Sequence, residues 1–272
     1  MLGKWKFGRK LANRIETREV ADWNNFNVVC VVHTKAEGRL VEQKGMAREK
    51  IHLINAPQHE GVYFPADAKA EREKLGYTAS DWVVALHGII HPSKGYDQVL
   101  RWWAEIIKTH PDWKLLIIGG SGEENKCRAL IASLRMEKNV LMTGWLSSHA
   151  EVNQALNAAD CLLVVRRNSP ENFGVIPSAL FHSLALNKPT VATGLPGLSE
   201  IIQDRVNGFL FKPDDYDSFK NTLELVCDNK ELAKTAAFNG IQTAKESFDL
   251  NTCAQKYFEL IKRSVSGQKH GA

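Results

Sequence analysis

Residues 168–200 read NSPENFGVIPSALFHSLALNKPTVATGLPGLSE. A polar loop at Asn168, Ser169 and Pro170 leads to an acid, Glu171, and to a small-residue turn at Phe173 and Gly174. An apolar run of helical character covers 175–186 and is stopped by Lys188 and Pro189. Thr190, Val191, Ala192 and Thr193 read as a short buried strand, and the Gly/Pro-rich loop 194–197 leads on to Glu200. Loop, helix, strand and loop in this order put both loops at the carboxyl edge of a parallel sheet. Open α/β folds bind nucleotides there. Gly174 lets backbone come close to a ligand, and the N–H groups at a helix start suit a phosphate.

Upstream and downstream of this stretch the same alternation continues from Asp81. Strands are predicted at 82–87, 114–118, 139–142, 161–165, 189–193 and 208–211. Helices are predicted at 95–109, 123–135, 148–158, 175–186, 215–228, 230–246 and 250–264. Short strand–helix–strand units mean an α/β fold: a Rossmann-like parallel sheet with helices on both faces. Ahead of it, 27–33 (NVVCVVH) and 51–54 read as two further strands around a helix at 36–44, and a helical patch lies near 66–75.

The first strand of the main series delivers Leu86, His87, Gly88, Ile89, Ile90, His91, Pro92, Ser93, Lys94 and Gly95. Taken with 168–200, this resembles the donor-binding signature of GT-B glycosyltransferases, in particular retaining family four, the group 1 glycosyl transferases. The resemblance covers about 10–265. Glu171, Phe173, Gly174, Lys188, Pro189, Gly197 and Glu200 fit the pattern, as do Gly88, Lys94 and Gly95. Two positions depart from it. The family's arginine next to the first glycine is Ile89 here, and its second acid falls on Ala179, or on His182 when counted back from Lys188 and Pro189.

The resemblance implies a nucleotide-diphosphate sugar donor and transfer of a hexose, with retention, to a saccharide or lipid-linked acceptor, as in polysaccharide biosynthesis. It implies that Lys94 and the amides near Gly174 hold the diphosphate and that Glu171 meets the sugar, so Glu171 and Lys94 are the candidate catalytic pair. Gly88, Gly144, Trp145, Arg167, Phe173, Val175 and His182 complete the candidate donor site. Trp145 stands at a strand end, where it would stack on the base or else pack as core. Arg166 and Arg167 follow a strand directly, so their side chains point to opposite faces and one of the two reaches the site; Arg167 is the one assigned. His182 would hydrogen-bond a hydroxyl in place of the second acid. No metal triad is evident, and no cofactor or metal is expected.

The domain reading follows from the same comparison. Residues 1–57 match the last elements of an acceptor-side domain, 58–248 form the nucleotide-sugar domain, and 249–272 form a helix crossing back to the N-terminal side. Transfer by the chain alone is not expected on this reading, and self-association or a partner chain would cover the exposed apolar stripe of Ala254, Tyr257, Phe258 and Ile261. A non-catalytic nucleotide-sugar-binding subunit and a GT-B-like epimerase are the alternative readings.

Composition bounds the rest. The chain has 272 residues, 44% of them apolar and 24% charged, which is ordinary for a globular protein. A net charge of +4 is too small to argue for nucleic acid. Five scattered cysteines without metal spacing read as reduced thiols of a cytoplasmic protein. A helix at 4–19 carries Lys4, Lys6, Arg9, Lys10 and Arg14 beside an apolar face. It reads as packed on a neighbouring domain, with peripheral contact to the inner face of a membrane as the second reading.

Overall fold

The computed structural model describes residues 18–20, 22–26, 28–57, 61–120 and 122–266. The basic helix read at 4–19 lies outside these, apart from its last two residues.

Six strands make the main sheet: β3 (Trp82–His87), β4 (Trp113–Ile118), β5 (Val140–Gly144), β6 (Cys161–Val164), β7 (Thr190–Thr193) and β8 (Phe209–Phe211). All neighbours pair in parallel, in the order β5-β4-β3-β6-β7-β8. Counted within the sheet this is 3-2-1-4-5-6, the doubly wound order, in which the winding reverses between β3 and β6. The expected strands are all present, with ends within two residues of those read from the sequence.

Parallel strands covered on both faces are apolar on both faces, and the alternation of side chains decides which layer each residue joins. On one face Val84, Leu86, Leu115 and Ile117 pack against Val99, Leu100 and Trp103 of helix α3 (Tyr96–Ile106). On the other, Val83, Ala85, Leu116 and Ile118 meet Ala155 and Leu156 of a later helix, His149–Asn157. All of these are buried, Trp103 completely. Truncating a side chain such as Trp103 to alanine costs about 3–5 kcal/mol in a packed core.

The first strands form a separate two-stranded parallel sheet. β1 (Cys30–Val32) pairs with β2 (Ile51–Leu53), and helix α1 (Lys35–Gln43) connects them. Helix α2 (Lys69–Lys74) follows the linker. Beyond α3 come α4 (Glu124–Ser133), α5 (His149–Asn157), α6 (Ser178–Ala185) and α7 (Pro196–Ser199). The chain closes with α8 (Tyr216–Asp228), α9 (Lys230–Phe248) and α10 (Leu250–Ser266). Asn55 just after β2 donates to the Ser247 carbonyl of α9 at 2.8 Å, and His52, Leu53 and Ile54 share a groove with α10. Phe258, Ile261 and Val265 of α10 are exposed.

Two expectations shift in detail. Helix α6 begins at Ser178 and not at Val175, because Pro177 takes an extended conformation (ψ 146°) and disfavours helical backbone at Ile176. Part of the second loop is helical, as the short α7, with Pro196 in the first turn where a missing N–H costs nothing.

Candidate nucleotide-binding cleft

At the carboxyl ends of β3 and β6, where the sheet's winding reverses, lies a cleft of about 370 Å3. The chain leaves β3 through Gly88, whose φ of +117° suits glycine, and Gly88 lies against Gly119 at the end of β4. A Cβ on Gly119 would fall 2.2 Å from the Gly88 carbonyl oxygen, so side chains are excluded where these two strand ends meet. The 3-10 turn Pro92–Lys94 then brings the Lys94 ammonium back, 3.4 Å from where a Gly88 Cβ would stand. His91 caps this turn with its imidazole, accepting from the Ser93 N–H.

The wall facing Lys94 comes from β6 and α6. Arg166 lines the cleft, its backbone N–H held by the Thr193 hydroxyl at 3.1 Å. Arg167 points the other way and grips both carboxylate oxygens of Asp97 at 2.7 and 2.6 Å, while its own N–H bonds the Ser93 carbonyl. The opposite-faces rule for neighbouring residues therefore applies, but the arginine in the cleft is Arg166 and not Arg167. Burial lowers the proton affinity of Lys94, with Arg166 adding to the effect, and burial does the same to Arg166. Among the described residues, the cleft lining contains no aspartate or glutamate. Among the described residues, no acid pairs with the Lys94 ammonium or the Arg166 guanidinium.

Three histidines and a tyrosine form one end. His87 Nε2 and His182 Nδ1 are 3.0 Å apart, so one imidazole donates and the other accepts. Tyr63, from the linker, stacks on His182 with centroids 3.9 Å apart, and its hydroxyl meets His149 Nδ1 at 2.9 Å. The linker is held there by α5: Asn153 accepts from the Phe64 N–H, and Asn157 both accepts from Ala66 and donates to Phe64. Burial pulls His87 down to about 3, with His182 and then Lys94 adding, and His182 down to about 4, with His149 adding. Both are neutral imidazoles at pH 7.

Of the expected site residues, Gly88, Lys94, Trp145 and His182 line the cleft. Trp145 is 69% exposed there, a flat surface not absorbed into the core. Ala179 lines it as well, one helical turn before His182, so both positions that could carry the family's second acid share a face of α6. Gly144 sits behind Trp145 with φ +71° and bonds Gly119 through its carbonyl.

The turn at 171–175 is placed differently. Glu171 lies on an exposed 3-10 turn, and Phe173, Gly174 and Val175 are not in the lining. At the start of α6 the residues that face the cleft are its N-cap Pro177, then Ser178 and Ala179, with His182 one turn on. Gly174 does serve a close approach, but to protein: a Cβ there would fall 2.9 Å from the backbone of Glu37, and its carbonyl accepts from Thr34. Lys188 is also structural, donating to the Asn157 carbonyl at 2.9 Å beneath α5. Asn172 is buried and donates to Ser93, Arg167 and Ser169, which clips the Glu171 turn to the Lys94 turn.

His87, Tyr63 and His149 were not singled out for the site from sequence, and Arg166 was weighed there but passed over for Arg167. His87 was visible as a polar residue closing an apolar strand. Tyr63 gave no local signal, since its hydrogen-bond partner His149 lies 86 residues away.

The sheet order, reversing between β3 and β6, is that of a doubly wound Rossmann-like domain. The sequence profile of the glycosyl transferases group 1 family matches residues 67–243, and the chain belongs to that family. A D-inositol 3-phosphate glycosyltransferase of Segniliparus rotundus is 32% identical over 186 residues, 66% of this chain and 40% of the relative. A mannosylfructose-phosphate synthase of Agrobacterium fabrum is 24% identical over 233 residues, 82% of this chain and 50% of the relative. The chain thus spans about half the length of such relatives. Among solved structures, Anabaena HepE in complex with UDP-glucose superposes with a TM-score of 0.79 at 22% identity, over 90% of this chain and 67% of that one. At that identity the likeness is one of fold.

Proposed function

We propose that the cleft binds a nucleotide-diphosphate sugar and that the chain serves the transfer of a hexose from it, with retention, to a saccharide or lipid-linked acceptor. The observation that carries this reading is the acid-free cleft at the sheet's reversal point, with Lys94 unpaired among the described residues. Burying an ammonium without a counter-charge is costly, and a bound anion removes the cost. Breaking the glycosidic bond leaves negative charge on the diphosphate, and a fixed cation stabilises that charge as it develops. Glu171, clipped beside the Lys94 turn through Asn172, meets the sugar in this reading. Trp145 offers its exposed ring to the base, and His182 offers an imidazole nitrogen to a hydroxyl. The exposed stripe on α10 is where a partner chain or second copy would pack.

The test is saturation-transfer NMR on the purified chain with UDP-, GDP- and ADP-hexoses. Contact at base and anomeric protons of one of them is the expected result; no transfer to any would refute the reading. A second reading, a nucleotide-sugar-binding subunit without turnover, is favoured by one observation: Ile89 stands 51% exposed in the cleft lining at the position of the family's arginine. Following donor consumption with mixed acceptors separates the two.

A further inference from the structure

We propose that Arg166 is the second cation on the diphosphate, supplied from the end of β6 to a cleft in which position 89, at the end of β3, is apolar. The inference rests on the nucleotide-sugar reading above and adds to it a residue and an exchange between strands. β3 and β6 are hydrogen-bonded neighbours at the reversal point, so the ends of both border the same cleft. Ile89 and Arg166 both line that cleft, and Arg166 is close enough to Lys94 to depress its proton affinity.

Three features fix the direction of Arg166. Its N–H is anchored to the Thr193 hydroxyl, a buried group at the end of β7. The next residue is held outward by the Arg167–Asp97 pair and by the Arg167 N–H to Ser93. Backbone alternation then leaves Arg166 no direction but inward. Two like charges in one partly buried cleft, with no acid among its described lining residues, repel each other. An anion bridging both relieves that repulsion, and a guanidinium adds a planar fork that matches phosphate oxygens.

The experiment titrates UDP, GDP and ADP, and the matching nucleosides, into the intact chain and into Arg166→Met, Arg166→Lys and Arg166→Met/Ile89→Arg. For the diphosphate that binds, Arg166→Met should weaken affinity about tenfold or more, the loss expected for a hydrogen bond to a charged group. Arg166→Lys should retain part of it, and Ile89→Arg should restore affinity to Arg166→Met. Nucleoside affinity should be unchanged by Arg166→Met. Unchanged diphosphate affinity in Arg166→Met, or equal losses for nucleoside and diphosphate, would overturn Arg166 as the phosphate cation while leaving the nucleotide reading in place. Failure of the intact chain to bind any of the three diphosphates would overturn that reading and this inference together.

Discussion

The Glu200 carboxylate caps the helix that begins at Lys35: it accepts from the Lys35 N–H at 2.6 Å and from the Ala36 N–H at 2.7 Å. Arg39 of the same helix lies 3.8 Å from it. An acid at the end of the 168–200 stretch, read from the sequence only as part of a donor-site pattern, thus holds the first β–α–β unit to the main domain. The first four N–H groups of a helix lack partners within it, and a carboxylate there answers both the hydrogen bonds and the dipole. Thr34 caps the same turn from within, accepting from Glu37, and donates to the Gly174 carbonyl.

Glu200→Ala should weaken the docking of residues 28–57 by about 1–2 kcal/mol, the usual cost of losing a cap. Hydrogen exchange is the suitable readout. Amides of β1, α1 and β2 should exchange faster while those of β3 and β4 are unchanged. Unaltered protection in the first unit would show that Glu200 does not hold it.

Gly174→Ala tests the same interface from the other side. A Cβ would meet Glu37 N, Cα and Cβ at 2.9 Å, and these are not atoms that can swing away. The expected cost is about 1–3 kcal/mol, as for overpacking a tight contact. Because Gly174 is outside the cleft lining, nucleotide affinity should hold. A large loss of affinity with normal stability would return Gly174 to the ligand.

Lys188 and Lys94 should behave in opposite ways. Lys188 is largely buried and donates to the C-terminal turn of α5. Lys188→Met should lower stability by about 1–3 kcal/mol through the stranded carbonyl, without changing nucleotide affinity. Urea unfolding and calorimetry on the two lysine variants would expose an exchange of these roles.

The histidine pair predicts a pH dependence. His87 and His182 are held down to about 3 and about 4 from an ordinary 6.5, chiefly by burial. As pH falls below 6.5 the unfolded chain takes up protons that the folded chain refuses. Stability is therefore full above 6.5 and is lost as pH falls from 6.5, down to about 4 for His182 and about 3 for His87, by about 1.4 kcal/mol per pH unit for each imidazole. His182→Phe should flatten this slope by roughly half in urea midpoints taken from pH 7 to 5. An unchanged slope would mean the imidazoles titrate normally.

The sheet was legible because its strands are short apolar runs between helical periods, and burial on both faces demands just that pattern. Lys94 and Gly88 were legible because they sit in the one loop that leaves the end of β3. What sequence did not disclose depends on pairings far apart in the chain. The choice between Arg166 and Arg167 is set by Asp97 and Thr193, on elements the local pattern does not mention. Gly174 and Glu200 looked ligand-directed because glycine and a carboxylate serve a helix start as well as they serve a phosphate or a sugar. Tyr63 enters the cleft only because Asn153 and Asn157, buried in α5, tie down the linker.

The most direct test of the central claim is a calorimetric titration of nucleoside diphosphate into the intact chain and into Lys94→Ala. Loss of the ammonium should weaken binding by about 1.5–3 kcal/mol, roughly ten- to 150-fold, because a charge-assisted hydrogen bond is removed from a partly buried site. Glu171→Ala, in the same experiment, should bind the bare nucleotide as the intact chain does, its carboxylate being kept for the sugar. Equal affinity of the intact chain and Lys94→Ala, or no binding to either, would contradict a diphosphate held at the end of β3.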